Sequence, residues 1–126
     1  MLLFFAFLLL LFTADGNQAS ALLHSGLEAL QQGNPQQARA DLERASKLDP
    51  QNAYVWSSLA EAYRRVNEPK LASDAAAAAE KSGGSDPIVC HALALFYAQT
   101  GQFAHAAALE ETFANTKGGP PALDRA

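Results

Sequence analysis

Two patterns divide the chain. From Met1 to Ala14 no side chain is charged, and this apolar run breaks at Asp15, Gly16, Asn17 and Gln18. Beyond it, small, apolar and turn-forming residues recur at an interval of 34 positions. Gly33, Asn67 and Gly101 occupy one column, Gly26, Ala60 and Ala94 a second, and Ala38, Ala72 and Ala106 a third. Ser25, Leu59 and Leu93 form another, as do Leu22, Trp56 and Cys90. Agreement of several columns at one interval marks a repeated supersecondary unit.

The columns also predict what each unit is. Gly33, Asn67 and Gly101 stand where a first helix must end, a position that wants the left-handed backbone tolerated best by glycine and asparagine. Pro35 and Pro69 follow two residues later, where a second helix starts and the missing N–H costs nothing. Each unit therefore reads as helix A, a tight turn and helix B. The small residues at 26, 60 and 94 lie on A helices and those at 38, 72 and 106 on B helices, where they let two backbones approach closely. Asp49-Pro50 ends the first helix B, Asn52 caps the next helix A, and Asp86 stands directly before Pro87 in the same role. The units span residues 19–52, 53–86 and 87–120, leaving a tail at 121–126. The fold expected is an all-α solenoid.

The leading apolar run falls short of the roughly 17 to 25 residues that a membrane-spanning helix needs. It reads as the core of an export signal over residues 1–16, cut after Gly16, with Ala14 and Gly16 as the small residues at the cleavage site. A cut after Ala21 would trim the first repeat. The other reading is a membrane anchor made by residues 2–14, and only in that case is a membrane a partner. No Lys or Arg precedes the run, so the terminal amine is its only positive charge.

Composition narrows the function further. The chain has 126 residues and a formal net charge of -4, with no basic stripe alternating with aromatics, which argues against nucleic acid as a partner. One cysteine, Cys90, forms no internal disulfide, and its column marks it as a small core residue. His24 and His91 sit two repeats apart, roughly 20 Å if neighbouring helices are about 8 to 10 Å apart, too far to share an ion. No nucleophile with a base, converging carboxylate pair or phosphate loop stands out, so neither an enzyme nor a cofactor or metal site is expected.

Trp56-x2-Leu59-Ala60-x2-Tyr63, followed by Ala72, resembles the tetratricopeptide repeat signature, with alanine in place of its glycine. Cys90-x2-Leu93-Ala94-x2-Tyr97, then Gly101, Phe103 and Ala106, repeats it, and the first unit keeps Gly26, Gly33, Ala38, Leu42, Ala45 and Pro50. The resemblance covers residues 19–120 and implies a right-handed superhelical array of three units whose A helices line an inner, concave surface. Ser25 and Ala29 depart from the pattern by being small, and Glu110 departs by being charged where helix B presents an apolar residue. Family members that grip a chaperone's C-terminal carboxylate carry Lys, Arg and Asn at set inner positions. Here those positions hold Leu23, Leu27, Ser58, Ile88 and Ala92, so that mode of recognition is not implied.

On a helix turning about 100° per residue, Trp56, Leu59, Ala60 and Tyr63 share the packing side of the second helix A. Tyr54, Ser57, Glu61, Arg64 and Arg65 fall opposite, on the inner surface. Their counterparts are Leu23, Leu27, Leu30 and Gln31 in the first unit, and Ile88, His91, Leu95, Ala98 and Gln99 in the third. Glu61 and Arg65 have the spacing of an ordinary surface ion pair. Arg64 has no equally good partner by spacing and is the stronger binding candidate. Leu23, Leu27 and Leu30 serve either to bind a ligand or to be buried by a neighbouring subunit or by the leader.

These features point to a protein-binding scaffold, exported or envelope-associated, that accepts a protein or peptide segment in its groove. The alternative is a structural subunit of an envelope assembly that uses the repeats for self-association. Weak homo-oligomerisation through the end of the third helix B belongs to the same expectation, because Phe103, Leu109 and Phe113 have no following repeat before the Gly118-Gly119-Pro120-Pro121 break.

Overall fold

The computed structural model describes the backbone of residues 2–116 and the side chains of residues 17–115. The expected tail at 121–126, the last residues of the third unit and the leader's side chains lie outside them. Six helices follow in order: α1 (Leu2–Gln31), α2 (Pro35–Leu48), α3 (Ala53–Arg65), α4 (Pro69–Gly83), α5 (Pro87–Gln99) and α6 (Phe103–Thr116). They form three antiparallel A/B pairs, α1/α2, α3/α4 and α5/α6. α2 also packs on α3 and α4 on α5, while α1, α3 and α5 contact one another in sequence. This is the all-α repeat array that the columns predict. α1 is longer than expected: it runs back without a break through Asp15, Gly16, Asn17 and Gln18, where the sequence pattern changes.

The three turns are built alike. Gly33, Asn67 and Gly101 have φ of 76°, 63° and 84°, and Asn67 is the only non-glycine residue with positive φ among the described residues. At each turn the next residue donates back across the helix end: Asn34 N to Ala29 O at 2.8 Å, Glu68 N to Tyr63 O at 2.9 Å and Gln102 N to Tyr97 O at 2.8 Å. These are Schellman closures, which satisfy carbonyls left open by the last helical turn. Between units, Asn52 Oδ1 accepts from Tyr54 N at 3.0 Å, and Asp86 Oδ1 accepts from Ile88 N at 2.9 Å and Val89 N at 3.3 Å. Both are the N-caps that the sequence predicts.

The core is a continuous seam of small and branched side chains. Leu42, Leu59, Leu93, Val55, Val89 and Cys90 are its largest fully enclosed members. Cys90 Sγ donates to Gly84 O at 2.8 Å, and burial pushes its thiol up from the ordinary range. Trp56 is only half-buried, because its indole N–H reaches out to Pro50 O at 2.8 Å while the ring packs against the core.

The departures from the repeat pattern compensate one another. Ser25, in the column of Leu59 and Leu93, donates to Oδ2 of buried Asp41 at 2.7 Å, and Asp41 stands in the column of Ala75 and Leu109. Gln37 Nε2 donates to the other carboxylate oxygen at 3.1 Å. A polar pair thus replaces an apolar one across the α1/α2 contact, with its hydrogen bonds made. Glu110 is similarly placed, 3.0 Å from His91 Nδ1, and Phe113 packs against the core and the His91 ring at a centroid distance of 5.3 Å. Of the three residues expected at an open end, Leu109 and Phe113 are therefore covered, and Phe103 remains 71% exposed.

α6 is further tied to the second unit. His105 Nε2 meets Glu80 of α4, and its ring lies edge-on to Tyr97 at 4.3 Å. Burial, with the nearby Glu80 carboxylate, pushes Tyr97 up to about 12. The folded state therefore prefers the neutral phenol, so this contribution is intact below the ordinary tyrosine range near pH 10 and is lost as pH rises toward 12. Ultraviolet titration of the native protein should show little tyrosinate from Tyr97 at pH 10, with its ionisation accompanying unfolding, and Tyr97→Phe should remove that late component.

Gly26 sets the tightest helix approach in the first unit: a Cβ there would lie 2.6 Å from Leu42 Cγ. The equivalent pair in the second unit is Ala60 with Ala76, so a smaller partner on α4 leaves room for the methyl. Gly26→Ala should lower the melting temperature even though alanine favours helix by about 1 kcal/mol, since overpacking costs about 1 to 3 kcal/mol. Leu42→Ala alone should cost about 2 to 5 kcal/mol. The double variant, which reproduces the second unit's pairing, should be more stable than the sum of the single losses, and denaturant melts of all four proteins check this coupling.

Candidate functional site

Stacking of the three A helices leaves one groove to which all of them contribute. Its cavity measures about 330 Å³ and is lined by Leu27 and Leu30 from α1, Ser57, Ser58, Glu61 and Arg65 from α3, and Ala92, Leu95, Phe96 and Gln99 from α5. The A helices form its floor because each presents its packing side to a B helix and its other side inward. Leu27 is 40% exposed and Leu95 51%, so these two leucines form the accessible apolar walls. Leu30 and Phe96 are buried beneath them.

The charges at the centre are already paired. Arg64 grips Glu61 with two nitrogens, Nε to Oε2 at 2.9 Å and Nη2 to Oε1 at 2.6 Å. Arg65 Nε donates to Glu61 Oε1 at 2.7 Å, and its Nη1 donates to Leu30 O at 2.9 Å. That second bond shares a carbonyl at the C-terminal end of α1 with Gly33 N and joins the first unit to the second. Burial alone would raise the Glu61 carboxyl, but the hydrogen bonds from both arginines outweigh it and hold the group below the usual carboxylate range. The bond to Glu61 likewise raises Arg64 despite some desolvation.

Of the residues placed on the inner surface from sequence, Leu27, Leu30, Ser57, Glu61, Arg65, Leu95 and Gln99 converge on this groove. The others stand elsewhere. Leu23 packs against the core. Arg64 lines a separate cavity with Asn67, Pro69 and Thr100, and far from lacking a partner it makes the bidentate contact to Glu61, since the i,i+3 spacing also brings side chains together on a helix. Tyr54 turns toward the start of α5, where its hydroxyl donates to Oδ2 of the N-cap Asp86 at 2.7 Å. Ile88, the second residue of α5, is 67% exposed and does not line the groove, and His91 faces α6 through Glu110 and Phe113.

Phe96 is the groove residue that sequence reasoning left out. Ser58 and Ala92 entered it only through the family comparison. Phe96 shares a column with Glu28 and Ala62, so an aromatic side chain appearing in one unit alone was the available signal. Among the described residues no group of three or more His, Cys, Asp and Glu side chains is placed to hold a metal ion.

Comparison with known proteins agrees with this fold. Over 54 residues the chain is 39% identical to the type IV pilus assembly protein PilF of Pseudomonas aeruginosa, a match covering 43% of this chain and 21% of that protein. A solved structure of Pseudomonas aeruginosa PilF superposes with a TM-score of 0.73 at 26% identity, covering 80% of this chain and 46% of that one. The chain thus spans less than half the length of these relatives. The second repeat domain of Spaghetti (RPAP3), solved bound to the HSP90 peptide SRMEEVD, has the same fold, with a TM-score of 0.68, 20% identity and coverage of 83% and 99%. The tetratricopeptide repeat profile itself matches residues 29–93, from the end of α1 into α5, and with the three turns and the shared groove in view the chain belongs to the tetratricopeptide repeat family.

Proposed function

We propose that the protein is an adaptor that holds a segment of another protein in the groove formed by α1, α3 and α5. The observation that carries this reading is the groove's composition: exposed Leu27 and Leu95 flank a centre whose charged groups are each held by hydrogen bonds. Such a surface takes up apolar side chains without stranding a buried charge. The peptide bound by the structurally similar RPAP3 domain supports the general mode, but the positions that would clamp a C-terminal carboxylate are Leu23, Leu27, Ser58, Ile88 and Ala92 in this chain. The occupant is therefore read as an apolar or amphipathic segment.

An exported or envelope-associated setting fits the apolar run at residues 1–14, and the partial similarity to a pilus assembly protein favours an envelope role. No helix among the described residues is long and apolar enough to cross a membrane. The leader is read as cleaved after Gly16. Mass spectrometry of exported protein should find Asn17 as the first residue, whereas an intact Met1 would favour an anchor at residues 2–14.

The structural-subunit reading draws on exposed Phe103 and Ile88 at the last unit. One experiment separates the two. A photoreactive residue at Leu95 should form a reproducible adduct with a distinct protein in the native envelope, and the same group at Leu71, on the outer side of α4, should not. Leu27→Glu should reduce the Leu95 adduct by about tenfold, equivalent to about 1.4 kcal/mol. A self-adduct from Leu95 would favour the structural subunit.

A further inference from the structure

The geometry points to Arg65 as a specificity-determining residue, which selects an apolar segment that carries an internal Asp or Glu side chain. This inference rests on the groove being the partner site and specifies what that partner must present.

Three observations lead to it. Two cations, Arg64 and Arg65, share one carboxylate, Glu61, so the cluster retains a net positive charge in a protein whose overall formal charge is -4. Arg64 holds both oxygens of Glu61, and Arg65 reaches that carboxylate through Nε alone, so one carboxylate offsets only one of the two positive charges. Of the two arginines only Arg65 lines the groove; Arg64 opens into a different cavity.

Arg65 is also held in place. Its Nε is fixed by Glu61 and its Nη1 by Leu30 O, while the side chain stays 39% exposed. A guanidinium has five N–H donors, so fixing it at two nitrogens leaves Nη2 and one hydrogen of Nη1 to donate. A group oriented beforehand loses little further freedom when it meets an acceptor, and a carboxylate accepts from such a fork with both geometry and charge. Leu27 and Leu95 beside it supply the apolar contacts that an amphipathic segment would fill. Among the described residues no other cation lines the groove to fix a chain terminus, so the acceptor is assigned to an internal side chain.

The test uses C-terminally amidated synthetic peptides in which leucines flank one variable position, presented at several spacings, with Glu, Gln or Lys at that position. Amidation removes the terminal carboxylate, and a matched set with free C-termini shows whether a chain end serves instead. Binding is read by fluorescence anisotropy against the mature protein. Glu peptides should bind about two- to fivefold more tightly than their Gln counterparts, the scale of a half-exposed ion pair, and Lys peptides more weakly. The preference should shrink with added salt.

Arg65→Gln should erase the Glu preference while keeping the binding of Gln peptides. Arg64→Gln lies outside the groove but leaves Glu61 to Arg65 alone, so it should weaken the preference less than Arg65→Gln does, without erasing it. Thermal melts establish that both variants are folded. Equal binding of Glu and Gln peptides, equal loss in both variants, or a preference confined to free C-termini overturns the assignment while leaving the groove reading intact. If no peptide of any composition binds, the groove reading falls and this inference with it.

Discussion

The close approach of the two helices within each unit is the constraint on which the rest of the array depends. Where α1 crosses α2, Gly26 leaves only enough room for the side chain of Leu42, and the second unit meets the same requirement with alanine on both helices. Helices that come this near exclude water from a narrow seam of small residues, so much of the core consists of alanine. Large side chains are confined to a few positions, such as Leu42, Leu59 and Leu93. Packing at interior density makes each position sensitive to its opposite number, and substitutions along the repeat therefore occur in compensating pairs. Ser25 with Asp41 is the polar instance, a hydrogen bond taking the place of an apolar contact.

Such an approach requires the chain to reverse within very few residues. The left-handed conformation at Gly33, Asn67 and Gly101 turns the backbone while the following N–H closes the helix behind it. In the first two units proline then begins the next helix. Helix end, turn and helix start are compressed into one motif, and local chemistry and tertiary packing agree on where it falls. The second junction, from B to the next A, uses side chains instead: Asn52 and Asp86 cap the incoming helix. Tyr54 then joins the two junctions by donating to Asp86.

Stacking produces the groove as a consequence. Each A helix spends one side on its own B helix, and the opposite sides of α1, α3 and α5 meet in a single channel. Its ionic centre has a structural duty as well, because Arg65 ties the end of α1 to α3 through the Leu30 carbonyl. The third unit is anchored by different contacts, with His105 on Glu80 and His91 on Glu110 holding α6 against its neighbours. What the last helix B leaves exposed is small or polar, including Ala104, Ala107, Ala108, Glu111 and Thr112, and Phe103 is the large apolar exception.

The periodicity alone determined the number of units, their helical pairing, the turn positions and the caps, because these depend on neighbours within a few residues along the chain. Gly33, Asn67, Gly101, Asn52 and Asp86 all do what their residue types require locally. That the A helices line the groove was implied by the resemblance to the tetratricopeptide repeat and not by the periodicity. Which side chains actually reach the groove was decided by tertiary structure. Tyr54 and His91 lie on the expected side of their helices yet are drawn off by Asp86 and Glu110, partners 32 and 19 residues away in sequence. Arg64 is taken up by Glu61, while Phe96, which looks like a core residue, forms part of the groove floor. Helical phase specifies a direction around one axis, but the angle and offset between axes depend on side-chain volumes in the seams, and those decide where a long side chain ends.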